Sequence, residues 1–131
     1  MKDSIHKYFQ IGTIQWMSHP PADMDVLDSL KTICCDDFFD AVEVCRFMDD
    51  ETRLKARNML EQAHMKVCYG AQPRLLGSGL NPNDVDEAGR QKAEKTLLEA
   101  VDEAAYLGAG GIAFLAGKWE PKTKDLAYSQ L

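Results

Sequence analysis

Among residues whose type and position could do chemistry, Glu43 comes first. It falls late in the apolar run Phe39-Asp40-Ala41-Val42-Glu43-Val44-Cys45, where strand alternation sends Ala41, Glu43 and Cys45 to one face and Val42 and Val44 to the other. A charge in a buried strand is costly unless it is paired. Glu43 is therefore either a carboxylate at a polar site, touching substrate or supporting a group that does, or half of a structural ion pair with Arg46 or Arg74. Gln72 and Arg74 stand in a long stretch without evident periodicity, residues 70–83. Their side chains suit a phosphate or carboxylate on a substrate, or else anchor that loop. Lys118 and Trp119 follow a later apolar run, the ring offering a stacking surface or simply closing the mouth of a site. Gln15 and Trp16 end the first strand-like run and join the same set of candidate substrate contacts.

The remaining titratable residues read more simply. His19, next to Pro20 and Pro21, is a proton carrier, a metal ligand or a solvated loop residue. His6 lies in the N-terminal tail and His64 at a helix end; three isolated histidines make no metal site. Asp36 and Asp37, and Asp49, Asp50 and Glu51, mark a helix end and a helix start rather than carboxylate pairs for acid–base work. Cys34, Cys35, Cys45 and Cys68 show neither a CxxC pair nor metal-ligand spacing and read as buried, reduced thiols.

The elements that must position these residues repeat one step. Residues 8–16, rich in aromatic and β-branched side chains, predict strand one. Val26, Leu27, Leu30, Ile33 and Cys34 recur at helical spacing, with Asp23 as N-cap. Residues 39–45 predict strand two, and a helix capped by Asp49 or Asp50 follows, with Leu54, Leu60 and Ala63 near the helical period and Arg57 and Glu61 on its wetter side. Residues 65–69 predict strand three. Asp84 and Glu87 are spaced as a capping box for a long helix whose buried stripe is Ala93, Leu97, Ala100, Val101 and Ala104, ended by Gly108. Residues 111–116 predict strand four, and Leu126, Ala127 and Leu131 open a fourth helix. The order is βαβαβαβ and the start of a further α, which calls for parallel strands and right-handed crossovers.

Bulk properties narrow the setting. No apolar run approaches the ~18 residues of a membrane span, and residues 1–7 lack the apolar core of a secretory signal. A net charge of -6, with acidic residues on every predicted helix, disfavours nucleic-acid binding. A cytoplasmic protein is expected. Two folds fit the repeat: a doubly wound open sheet, or a (β/α)8 barrel, which takes about 250 residues. A doubly wound nucleotide fold carries a glycine-rich turn after strand one; here that place holds Gln15-Trp16-Met17-Ser18-His19-Pro20-Pro21. The half-barrel is the expectation, with the open sheet as its alternative. Residues 1–131 then form a single domain, and Leu131, inside an amphipathic pattern without a C-cap, suggests truncation.

Several stretches together resemble the N-terminal half of the xylose-isomerase-like sugar (phosphate) isomerase and epimerase family. They are residues 9–17, Phe39-Asp40-Ala41-Val42-Glu43-Val44, Tyr69-Gly70-Ala71-Gln72-Pro73-Arg74 and residues 102–112. The resemblance implies a TIM barrel with its site at the carboxyl ends of the strands. It also implies metal-assisted proton transfer next to a carbonyl of a small carbohydrate or hydroxy-ketone, with Glu43 catalytic and Arg74 and Lys118 on the rim. The family's divalent metal (Mn, Mg or Zn) is held mainly from strands five to eight, so it is expected only for a complete barrel, and this chain alone is expected to be inactive. The related abasic-site endonucleases place His ligands after strands three and four; the corresponding segments here, Tyr69-Gly70-Ala71-Gln72 and Ala116-Gly117-Lys118-Trp119, have none. Four parallel strands leave two unpaired edges, so either a missing C-terminal half or a homo-oligomer is expected, the latter making the chain a non-catalytic, self-associating half-barrel.

Overall fold

The computed structural model describes residues 5–117, 121–123 and 125. Four strands, β1 (Gly12–Ile14), β2 (Ala41–Val44), β3 (Lys66–Gly70) and β4 (Ile112–Ala113), alternate with helices α1 (Gln15–Ser18), α2 (Val26–Cys34), α3 (Asp50–Gln62), α4 (Gln72–Gly77) and α5 (Glu87–Tyr106), and a 3-10 turn spans Pro121–Thr123. The helix expected around Leu126, Ala127 and Leu131 lies outside the described residues.

Helix starts follow side-chain capping, with two shifts from expectation. Asp49 caps α3 by accepting from Thr52 N and Thr52 Oγ1, both at 2.8 Å. Asp25 rather than Asp23 caps α2, accepting from Leu27 N at 2.8 Å. Asp86 rather than Asp84 caps α5, accepting from Gly89 N at 3.0 Å. Asp84 instead accepts from Asp86 N at 3.0 Å, a turn that feeds the cap. Helix ends use left-handed residues. Gly108 has φ +73° and Ala109 N donates back to Ala104 O at 2.9 Å. His64 takes the same role after α3 with φ +54°, Met65 N donating to Leu60 O.

Some expected elements are shorter. β1 covers only three residues, and Tyr8 and Phe9 are exposed. β4 covers two, with Phe114 and Leu115 half exposed beyond it. The segment read as irregular contains α4, because Pro73 sits in its first turn, where a missing N–H costs nothing and a fixed φ favours the helix.

All three strand pairs are parallel and the order is β1-β2-β3-β4. A doubly wound sheet needs a reversal of strand order, and these four strands have none. Stepping always in one direction with right-handed crossovers puts every long helix on one face. The core agrees: Leu30 and Ile33 from α2, Ala56 and Leu60 from α3, and Ala100 and Ala104 from α5 form one cluster with Val42, Val44, Val67 and Tyr69. In register, Val42 pairs with Val67 and Val44 with Tyr69, so this apolar layer runs across the two central strands.

The opposite face carries Gly12 and Ile14, Ala41 and Glu43, and Lys66 and Cys68, all exposed or half-buried. A groove of about 410 Å³ runs along it, lined by Ile14, Met17, Ala41, Glu43 and Cys68 among others. The thiols therefore depart from the buried reading: Cys35 and Cys68 are exposed, Cys34 and Cys45 half-buried, and all four are free. Leu54 and Val101, expected on buried stripes, are also exposed; Ala56 and Leu107 are buried instead.

Candidate functional site

The carboxyl ends of β1, β2 and β3 open into residues 15–19, 45–48 and 71–74, and a buried carboxylate from α5 ties two of these segments together. The side chain of Glu103 is 3% exposed. Its Oε1 accepts from Phe47 N and from Arg53 Nε, both at 3.0 Å. Its Oε2 accepts from Tyr69 OH at 2.7 Å and from Arg74 NH2 at 2.5 Å. Burial of an ion is tolerated only with such complete pairing. Burial, then the hydrogen bond and charge of Glu103, push the Tyr69 phenol well above its ordinary range, with Arg74 opposing. Tyr69 is therefore a donor held on Glu103.

Sequence reasoning did not single out Glu103. The available signal was its position, three residues after Ala100 and one before Ala104, on the stripe of α5 that faces the sheet. A carboxylate there needs a cationic partner.

Arg74 is that partner, and so does not pair with Glu43. Its side chain is 8% exposed. NH2 bonds Glu103, the guanidinium lies 6.0 Å from the centre of the Tyr69 ring, and Nε is a buried donor without an acceptor among the described residues. Arg74 also lines a cavity of about 350 Å³ with Cys45, Arg46, Ser78, Thr96 and Glu99. Burial raises the Cys45 thiol, helped by the charges of Glu103 and Glu43 and opposed by Arg74, which places this thiol among all three.

Glu43 has no hydrogen-bond or ion-pair partner among the described residues, so neither Arg46 nor Arg74 neutralises it. It stands half-buried on the helix-free face, opposite Ile14 and Cys68 in register. Gly70 makes room for it: a Cβ there would lie 2.6 Å from Glu43 Oε1 and 2.8 Å from Gln72 Oε1. The Gln72 oxygen is buried and also without a hydrogen-bond partner among the described residues. Two acceptor oxygens thus lie over a bare glycine, one of them inaccessible to solvent.

Gln15 is committed to the fold. It is 3% exposed, and Nε2 donates to Val26 O at 2.7 Å and to Ser29 Oγ at 2.8 Å, stapling the end of β1 to α2. Trp16 is 37% exposed and lines a separate cavity of about 430 Å³ with His19, Arg46, Met48 and Asp49. His19 Nδ1 lies 3.0 Å from Ser18 Oγ. Lys118 and Trp119 fall outside the described residues. The structure thus brings Glu43 and Gln72 together at Gly70, while Arg74 lies with Glu103 and Trp16 lines another cavity with Arg46. His6, read as a tail residue, instead meets Asp40 Oδ2 at 2.8 Å and packs edge-on against Phe38. Among the described residues, no three His, Cys, Asp or Glu side chains converge as a metal ion would require.

Compared with known proteins, the chain matches no family model and no curated protein.

Proposed function

We propose that this chain supplies the first four βα units of a (β/α)8 barrel enzyme that isomerises or epimerises a small sugar, sugar phosphate or related hydroxy-ketone. Sequential strand order with all long helices on one face supports the barrel reading, because a barrel keeps its helices outside and its strand interior free. The single observation that carries the chemistry is the Glu43 carboxylate over Gly70, without a partner among the described residues, with the Gln72 oxygen beside it.

Such reactions remove a proton from a carbon flanked by a hydroxyl and a carbonyl. Glu43 is the base: its carboxylate takes the C–H proton, the C–H electrons form a double bond to the carbonyl carbon, and the carbonyl π electrons move to its oxygen, giving an enediolate. Transfer of the hydroxyl proton between the two oxygens and return of the proton from Glu43 to the neighbouring carbon complete isomerisation; its return to the opposite face of the same carbon gives the epimer. The described residues do not fit a metal centre, so no step here is assigned to one.

The test is deuterium uptake from D2O at the carbon next to the carbonyl of dihydroxyacetone, small ketoses and their phosphates, followed by proton NMR. It is run from micromolar protein upward, so that free and associated chains are both sampled. The free chain is expected to be inactive; uptake is expected at the upper concentrations, where associated chains complete the barrel, and is reduced there roughly 10²–10⁴-fold by Glu43→Gln. Equal rates for the two proteins, or no uptake from any of these compounds, rejects the assignment.

The open face favours a second reading, a non-catalytic half-barrel completed by a second copy of itself. Glu43 would then be a polar residue of an interface, and association would occur without uptake.

A further inference from the structure

We propose that a second copy of this chain completes the barrel, its β1 pairing in parallel with β4 so that Phe114 and Leu115 lie opposite Thr13 and Ile14 of the second copy. The proposal rests on the barrel reading of the fold and not on the chemistry assigned to Glu43. Among the described residues β1 pairs only with β2 and β4 only with β3, so each keeps one open edge of backbone N–H and C=O groups. An exposed apolar edge is a template for another strand. Phe114 and Leu115, which continue β4, are 49% and 48% exposed, and Tyr8 and Phe9 stand exposed before β1.

The strand order advances in one direction, so a half-turn about the barrel axis brings the β1 edge of each copy to the β4 edge of the other, and twice four strands make eight. Closure then fixes the register. A barrel of shear about 8 displaces the register by about eight residues around its circumference, hence by about four over each of two identical halves. Gly12 pairs with Ala41 and Ala41 with Lys66; Lys66 comes three residues before Tyr69, which pairs with Ile112, so this row reaches the line of β4 three residues before Ile112, at Ala109. Right-handed strand tilt makes the row descend toward the amino ends as it crosses from β1 to β4. Ala109 therefore meets Tyr8 of the second copy, four residues before Gly12. The opposite sense would bring Trp16 there, which lies in α1 and past the end of β1.

In step with that pair, Ile112 meets Ile11, Ala113 meets Gly12, Phe114 meets Thr13 and Leu115 meets Ile14, so the partners lie in β1 or directly before it. The faces agree as well. Ala113, level with Gly70, and Gly12, level with Ala41, both belong to the helix-free side, and a slip of one residue would turn Leu115 to the helix side. The exposed strand-forming residues after β4 are the ones that gain ladder partners. The two helix-free faces then enclose one cavity that carries Glu43 from each copy, so the site is incomplete without the second chain.

The test is the double variant Thr13→Cys/Phe114→Cys, oxidised with diamide and mapped by peptide mass spectrometry. Within one chain β1 and β4 are three strand spacings apart, about 14 Å, too far for a disulfide, so a link between these positions joins two copies. The parent, with its four native thiols, sets the background, and Thr13→Cys/Ala116→Cys is two residues out of register. Light scattering is expected to give the parent twice the mass of one chain at micromolar concentration. Oxidation is expected to give a covalent dimer linked between positions 13 and 114, and only the parent background in the out-of-register variant. A parent of single mass, a dimer without that link, or equal linking in both variants overturns the pairing. The linked dimer without deuterium uptake keeps the pairing and removes the isomerase reading. Uptake by the unassociated chain keeps the isomerase reading and removes the second copy from its site.

Discussion

Glu103→Ala is expected to destabilise the chain by about 3–5 kcal/mol in urea unfolding followed by circular dichroism, the range for removing one partner of a buried ion pair. Four donors lose their acceptor at once: Phe47 N, Arg53 Nε, Tyr69 OH and Arg74 NH2. Arg53, with its side chain 28% exposed and a second partner in Asp50, turns to solvent. Arg74 and Tyr69 cannot, so they account for most of the loss. Glu103→Gln keeps the volume but replaces one acceptor oxygen with an amide group that faces donors. Its loss is expected to be smaller than that of alanine yet well above zero. The exposed Lys55–Glu51 pair at 2.6 Å provides the contrast: Glu51→Ala is expected to leave the midpoint nearly unchanged, since solvent screens the pair and holding it costs side-chain freedom. A Glu103→Ala loss below about 1 kcal/mol would mean that the site does not depend on this carboxylate.

The same residue shows where sequence reasoning stops. Glu103 meets partners 29, 34, 50 and 56 residues away in the chain, and nothing local in residues 98–108 selects among the arginines that could reach it. Glu43 was legible on the face away from Val42 and Val44, because alternation along one strand decides which side chains share a face. The partner of Arg74 was not legible, since it depends on which helix crosses behind β3, and the alternative of an ion pair between Arg74 and Glu43 is not what the structure shows. Local features fared better. Asp49 as a cap and Gly108 as a left-handed terminus need only their own turn. Residues 83–86 offered two aspartates and the structure uses both, one for the turn and one for the cap, a register that spacing alone leaves undecided. Strand ends were overread at both sheet edges. Tyr8, Phe9, Phe114 and Leu115 have strand-forming side chains, but β propensity reflects packing against neighbours, and these residues lie beyond the paired segments.

The one-sided sheet makes the second large prediction, because the same lysine should have opposite consequences at Val44 and Cys68. Val44 is fully buried on the helix side of β2, while Cys68 is exposed on the other side of neighbouring β3. Val44→Lys places an ammonium against the apolar layer of Leu30, Leu60 and Tyr69, and the expected loss exceeds about 3 kcal/mol, enough to unfold a marginal domain. Cys68→Lys places the same charge across from Glu43, its register partner, where a cross-strand pair contributes roughly 0.2–1 kcal/mol. In dilute solution that chain should melt no lower than the parent. If its stability falls as far as that of Val44→Lys, the face is packed rather than open, and the barrel reading loses its support. Light scattering then separates the two proposed roles of the open face. When a second copy covers it, the parent has twice the mass of one chain at micromolar concentration, and Cys68→Lys, which buries a charge at the centre of that interface, reduces it to one. When the face lines a substrate cavity within a larger barrel, mass is unaffected. The consequence there is chemical: a lysine beside Glu43 neutralises the base and lowers deuterium uptake.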